Sequence, residues 1–262
     1  MLEIYQELTN VISKRERAVL ATVISSRGSA PRKAGAKMLI KSNGTFIGTV
    51  GGGGVEQQVR EKAAEVMSSG EPQVVHFDLS GSGEGAAMIC GGQMDVFLEP
   101  IVPVETLYLF GAGHISQSTA AIGKMLGFRV VIIDPRPEYN NSERFSNADL
   151  LIVEEYENAF PKLSVDEDSY IVIYTTGHVL DEQCLRFAVS TKAKYIGMIG
   201  SKKKVKEVKE RLLQKGISQQ QLDRVYAPIG IEIGAETPQE IAISILAEII
   251  RVKRIGGKNH AV

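Results

Sequence analysis

Cysteine is scarce in this chain: Cys90 and Cys184 are the only two among 262 residues, and they sit in unrelated sequence surroundings. That excludes a disulfide framework and reads as reduced thiols. A charge excess of either sign is also missing, with 30 lysines and arginines against 31 aspartates and glutamates and a formal net charge of -1. Nothing in that balance recruits nucleic acid or an anionic membrane, and neither is expected as a partner. No stretch approaches the roughly 20 apolar residues that span a bilayer. The amino-terminal MLEIYQELTNVISKRER carries acids early and has no signal-type apolar run, so the expected location is the cytoplasm. Internal repeats and low-complexity tracts are absent too. What is present is a 44% hydrophobic composition, enough to fill the core of one large or two modest domains.

The pattern along the chain divides it in two. Leu2, Tyr5, Leu8, Val11 and Ile12 recur at helical spacing, AVLATVIS reads as a strand, and SRGSAPRKAGA is a loop marked by proline and glycine. AKMLI and TFIGTV flank Asn43-Gly44, the turn chemistry of a hairpin. After the glycines Gly51 to Gly54 comes a helix from about Val55 to Met67, a strand at QVVHFDL, a mobile loop at SGSGEG, and AAMICGGQMDVFLEP. A linker, EPIVPVE, follows. Beyond it the runs TLYLF, FRVVII, DLLIV, SYIVIY and AKYIGMI alternate with helical stretches, the signature of strands buried on both faces. The expected fold is α/β: a Rossmann-like doubly wound parallel sheet over residues 104–262, preceded by a smaller mixed α+β domain over residues 1–103.

Within the second part, Gly111-Ala112-Gly113-His114-Ile115-Ser116 lies between a strand and a helix, and Asp134 ends the next strand. Gly111 permits the tight turn, Gly113 lets backbone approach a diphosphate, and the helix amino terminus favours negative charge. Ser116 replaces the third glycine. Asp134 suits a free ribose and Arg136 a 2′-phosphate, so the pattern does not choose between NAD and NADP. A turn that packs tightly and binds nothing is the alternative. His178, Ser201 and Lys202 fall at the ends of other strands and are expected to share one crevice with His114. Asp181 reads as a helix N-cap, at least two of Lys202 to Lys204 as a solvated face, and Thr237-Pro238-Gln239-Glu240 as a capping box.

The glycine run is not a Walker loop, since Gly54 precedes Val55-Glu56-Gln57 rather than Lys-Ser/Thr. Two readings stay open: an anion cradle of unpaired N–H groups, with Glu56 in the first helical turn, or close backbone packing. Cys90 stands beside Gly91 and Gly92, where backbone dipoles favour a thiolate; the alternative is a small buried apolar residue. Cys184 reads as core.

GSAPRKAGAKMLI, GTVGGGGVEQQV, ICGGQMDVFLEP, LYLFGAGHIS, IDPRPE, YIGMIGSKKK and APIGIEIGAETPQEIAISILAEII, in order along nearly the whole chain, resemble the xanthine dehydrogenase accessory factors, the XdhC/CoxI family. One departure is Gly177 between Thr176 and His178, where the family pattern runs Thr-His directly. The resemblance implies an accessory module followed by a Rossmann module. It also implies a chaperone, not a catalyst, that binds the molybdenum cofactor (molybdopterin), supports its sulfuration with a cysteine desulfurase, and delivers it to xanthine dehydrogenase or a related hydroxylase. In that role Arg32, Lys33 and Gly51, Gly52, Gly53 and Gly54 are expected at the cofactor phosphate and Cys90 at the metal, since soft thiolates suit such metals. The competing expectation is an NAD(P)-dependent oxidoreductase working from Gly111 to Asp134 with Cys90 or His178 near the substrate. A third is an assembly factor that binds only protein. Base rates for oligomers make a homodimer the expected assembly.

Overall fold

The computed structural model describes residues 1–79 and 91–256, so the expected SGSGEG loop and Cys90 lie outside the described residues. The chain forms two compact units, Met1–Pro103 and the residues from Val104 on.

The first unit contains α1 (Leu2–Ser13), β1 (Ala18–Arg27), β2 (Lys37–Lys41), β3 (Phe46–Gly48), α2 (Gly54–Ser69), β4 (Gln73–Asp78) and β5 (Gln93–Ile101). Its strands form one antiparallel sheet in the order β3-β2-β1-β5-β4. Strand alternation divides β1 between two cores: Val19, Ala21 and Val23 belong to the α2 side, Ala18 and Leu20 to the α1 side. On α2 the buried stripe is Val55, Val59, Ala63 and Val66, spaced by one helical turn each time. Each of its fully buried valines contributes about 1.5–3 kcal/mol relative to exposure. The hairpin expected at Asn43-Gly44 forms, with Gly44 at φ +81° and Asn43 Oδ1 accepting the Thr45 N–H at 3.0 Å. β5 outruns the sequence expectation and carries Pro100 opposite Val19. A proline is tolerated there because β4 pairs no further than Leu98, leaving β5 an edge at that point.

The second unit adds β6 (Thr106–Phe110), α3 (His114–Met125), β7 (Arg129–Ile133), β8 (Leu150–Ile152), α4 (Tyr156–Ala159), β9 (Ser169–Ile173), α5 (His178–Val189), β10 (Tyr195–Met198), α6 (Lys202–Gln214), α7 (Gln219–Asp223), β11 (Val225–Tyr226) and α8 (Pro238–Ile255). Its six strands are all parallel in the order β11-β10-β9-β6-β7-β8. The first βαβ pair runs outward one way from β6 and the rest run the other way from β9. This is the doubly wound order, with its switch point between β6 and β9. β6 and β9 are buried along their full length. Tyr108 and Phe110 face the core that includes α5 and α6, while Leu107 and Leu109 face the one that includes α8. β11, only two residues long, had no apolar run to announce it. The capping box expected at Thr237 is present and starts α8. No helix among the described residues is long and apolar enough to cross a membrane.

Candidate functional site

In the first unit, three loops meet. Gly51 has the Pro31 ring against it, so that a Cβ built there would lie 3.3 Å from Pro31 Cγ. Gly28 and Gly92 touch backbone to backbone: a Cβ on Gly28 would lie 3.2 Å from Gly92 Cα, and one on Gly92 would lie 2.6 Å from Arg27 O. The segment after β1 therefore ties the glycine run to the two glycines that follow Cys90. Residues 30–36 of that segment, with Met1, line an open pocket of about 520 Å³. Arg32 and Lys33 stand at it, exposed and with no hydrogen bond or ion pair among the described residues.

The four glycines differ from one another. Gly53 is the N-cap of α2 at φ +52°, a left-handed conformation that favours glycine. Gly54 is the first helical residue. Gly52 is different, for its φ is not left-handed and a Cβ on it would touch nothing. Neither packing nor backbone geometry within the described residues requires a glycine at that position.

Glu56 turns inward. Its Oε1 receives the Thr49 hydroxyl, which also lies 2.6 Å from Gly51 O and accepts the Gly51 N–H at 3.3 Å. The carboxylate thus occupies the positive end of α2 itself and pins the start of the run. An incoming anion has to draw its positive charge from Arg32 and Lys33. Gly91 differs from the sequence expectation in the same way: its N–H is engaged with Leu79 O at 3.0 Å, and Gly92 O accepts the Leu79 N–H at 2.8 Å. This hairpin pairing commits the Gly91 N–H to Leu79, so its dipole does not serve a thiolate. Among the described residues no group of three or more His, Cys, Asp or Glu could hold a metal ion.

In the second unit, Gly111, Gly113 and His114 follow β6, Asp134 follows β7, His178 follows β9 and Ser201 follows β10, all at the carboxyl edge of the sheet. Gly111 at φ +114° donates to Ile133 O at 2.8 Å, and a Cβ on it would lie 2.6 Å from Tyr174 O. It is a glycine because β7 and β9 close in on both sides. Gly113 and Gly177, the N-caps of α3 and α5, have open space around them and no side-chain cap. His114 and His178 are exposed one residue further on. Ser116 is fully buried, and neither its hydroxyl nor that of nearby Tyr174 closes a hydrogen bond.

Asp134 is 1% exposed and already saturated. Oδ2 accepts Ala112 N–H at 2.8 Å and Arg136 Nη2 at 2.7 Å; Oδ1 accepts Arg136 N–H at 3.0 Å and Nε at 2.9 Å. Burial pushes its pKa up, but the Arg136 guanidinium and the two backbone donors outweigh this and hold it below the ordinary value. Ser201 also has a local partner, since its hydroxyl caps α6 by accepting the Lys204 N–H at 3.2 Å.

Asp181 is not the N-cap that the sequence suggested; Gly177 is. From the first turn of α5 Asp181 reaches back, its Oδ1 accepting Thr175 N–H at 3.0 Å and Thr175 Oγ1–H at 2.7 Å, while Lys204 Nζ pairs with Oδ2. Asp181 is fully buried and the Lys204 side chain is 17% exposed, whereas Lys202 and Lys203 lie in solvent. Three consecutive lysines carry no mark that singles out the third. Cys184 is core, its thiol pushed up by burial and by Asp181. A further anchor escaped the sequence reading: Glu248, buried on α8, accepts the Tyr195 hydroxyl at 2.6 Å and the Gly230 N–H at 3.0 Å, fixing the loop after β11.

Comparisons with known proteins cover both units. Residues 107–249 match the XdhC Rossmann domain, and residues 11–78 match the XdhC and CoxI family. The uncharacterized protein YqeB of Escherichia coli (strain K12) is 34% identical over 96% of this chain, which spans only 46% of that relative's length. A probable xanthine dehydrogenase polypeptide of Bacillus subtilis (strain 168) is 27% identical over 94% of this chain and 96% of its own. The molybdenum cofactor insertion chaperone PaoD of Escherichia coli (strain K12) is 25% identical over 90% of this chain and 83% of its own. A crystal structure of a xanthine dehydrogenase from Bacillus halodurans superposes with a TM-score of 0.53 at 26% identity, covering 98% of this chain and 97% of that one. With both of its units matched in order, the chain belongs to the XdhC and CoxI family.

Proposed function

We propose that this chain is an accessory chaperone that binds the molybdenum cofactor and delivers it to a xanthine dehydrogenase or a related molybdenum hydroxylase. The names of two relatives support the reading, one tied to xanthine dehydrogenase and the other to molybdenum cofactor insertion. The observation that carries it is Gly52: a glycine with no structural need, in a run joined through Pro31 to the loop that bears Arg32 and Lys33. A bare backbone beside two cations free of partners among the described residues suits an anionic ligand that must come close.

In this reading Arg32 and Lys33 hold the pterin phosphate, Gly51 to Gly54 let the ligand approach, Glu56 anchors the run through Thr49, and the Cys90 thiolate meets the metal. Binding is stoichiometric, without turnover. Support for sulfuration by a cysteine desulfurase belongs to the same proposal, with the carrier protecting the cofactor while the sulfur is installed.

The test is anaerobic cofactor retention. Wild type, Gly52→Val, the double variant Arg32→Ala/Lys33→Ala, and Cys90→Ala are mixed with molybdenum cofactor, desalted and assayed for bound pterin by fluorescence after oxidation. Stoichiometric retention by wild type, with loss in Gly52→Val at unchanged melting temperature, is the expected result. Absence of retained pterin in wild type refutes the proposal.

A further inference from the structure

A Rossmann-type glycine turn ordinarily implies a nicotinamide dinucleotide, and the residues of this one do not fit that cofactor. In the dinucleotide arrangement the acid ending the second strand accepts the ribose 2′-hydroxyl, or a nearby arginine receives a 2′-phosphate. Here those two groups hold each other. A carboxylate offers about four acceptor sites. Asp134 fills them with Ala112 N–H, Arg136 N–H, Arg136 Nε–H and Arg136 Nη2–H, all at 2.7–3.0 Å.

We infer that Asp134 is a positioning residue that latches the glycine turn to the end of β7, and that this unit does not take NAD or NADP. A ribose hydroxyl reaching Asp134, only 1% exposed, has to displace a charge-assisted hydrogen bond and gains nothing better in exchange. Arg136 is no freer. Its edge is gripped by Asp134 and its face lies 4.2 Å from the Tyr139 ring centroid, so turning toward a 2′-phosphate breaks both contacts.

The backbone around the pair is fixed as well. Asn140 Nδ2 bonds Asp134 O at 3.2 Å and Ile152 O at 2.9 Å, tying the ends of β7 and β8 together. On the other side, the Ala112 N–H that joins Asp134 belongs to the glycine turn itself. One carboxylate therefore sets the turn, the β7 end and the arginine at once, which is the work of an architectural residue. The glycines follow the same logic: Gly111 is required by the approach of Tyr174 O, a reason internal to the fold. The inference is independent of the molybdenum cofactor reading, which concerns the first unit.

The experiment uses the full-length protein. NADH and NADPH are titrated to about 1 mM, a weak-binding limit near -4 kcal/mol, by nicotinamide fluorescence and by calorimetry, with wild type and Asp134→Asn compared. No saturable binding to wild type is expected. Asp134→Asn keeps the shape but loses the charge, and a melting temperature lower by at least about 3 °C is expected from weakening charge-assisted hydrogen bonds. Should the buried substitution prevent folding, Arg136→Met removes the same pair from its more exposed side and the same drop is read. Saturable NADH or NADPH binding by wild type overturns the exclusion. An unchanged melting temperature in both variants overturns the latch.

Discussion

Replacing Lys204 by methionine separates the three lysines that the sequence presents as equals. The substitution keeps the length of the side chain and removes the ammonium from Asp181, a carboxylate with no exposure whose Oδ2 pairs with Lys204 Nζ. Breaking a buried pair by deleting one partner costs about 3–5 kcal/mol, because the remaining charge is left buried. Asp181 keeps two donors from Thr175, at 3.0 and 2.7 Å, so the lower end, about 3 kcal/mol, applies. For a unit of this size that corresponds to a fall of about 6–12 °C in melting temperature. Lys202→Met and Lys203→Met, both at exposed positions, are expected within about 0.5 kcal/mol of wild type. Adding Asp181→Asn to Lys204→Met removes the stranded charge and restores part of the loss, a coupling of about 0.5–3 kcal/mol. Thermal and urea unfolding of the full chain at neutral pH measure all four. A Lys204→Met protein within about 1 kcal/mol of wild type, or an equal loss in Lys202→Met, refutes the assignment of a buried pair.

Gly92→Ala drives a Cβ to within 2.6 Å of Arg27 O, so it is expected to lower the melting temperature of the first unit, while Gly52→Val leaves it unchanged and affects only cofactor retention. Gly111→Ala meets Tyr174 O at 2.6 Å from a left-handed backbone, and circular dichroism should show a destabilised second unit. The depressed pKa of Asp134 gives stability that is fully present above the unfolded value near 3.9 and is lost as pH falls through the lower folded value. Acid unfolding of Asp134→Asn, followed below about pH 4, should therefore show a flatter limb than wild type. If Arg32 and Lys33 hold an anion, retention of the cofactor weakens with added salt, and Arg32→Ala/Lys33→Ala removes most of that dependence.

Sequence by itself determined the two-part architecture. Its apolar runs set the buried strands β6, β7 and β9, the turn at Asn43-Gly44 set a hairpin, and Thr237 with Glu240 set the start of α8, because each signal is local in the chain and acts through periodicity or backbone chemistry. It also marked the glycines and the turn from Gly111 to Asp134. Motif order was enough to suggest the family. Which of those residues are open to a ligand was decided only by tertiary structure, since that depends on partners far away in sequence. Gly92 is a glycine because of Arg27 O, Gly111 because of Tyr174 O, and Asp134 is sealed by Ala112 and by an arginine that the motif reads as a ligand contact. Gly52 kept its open face by the same test, and Lys204 was separated from its neighbours by a carboxylate on another helix. A sequence pattern records which groups a backbone carries; burial and hydrogen-bond saturation, which decide whether a group can still act, arise only when distant segments pack.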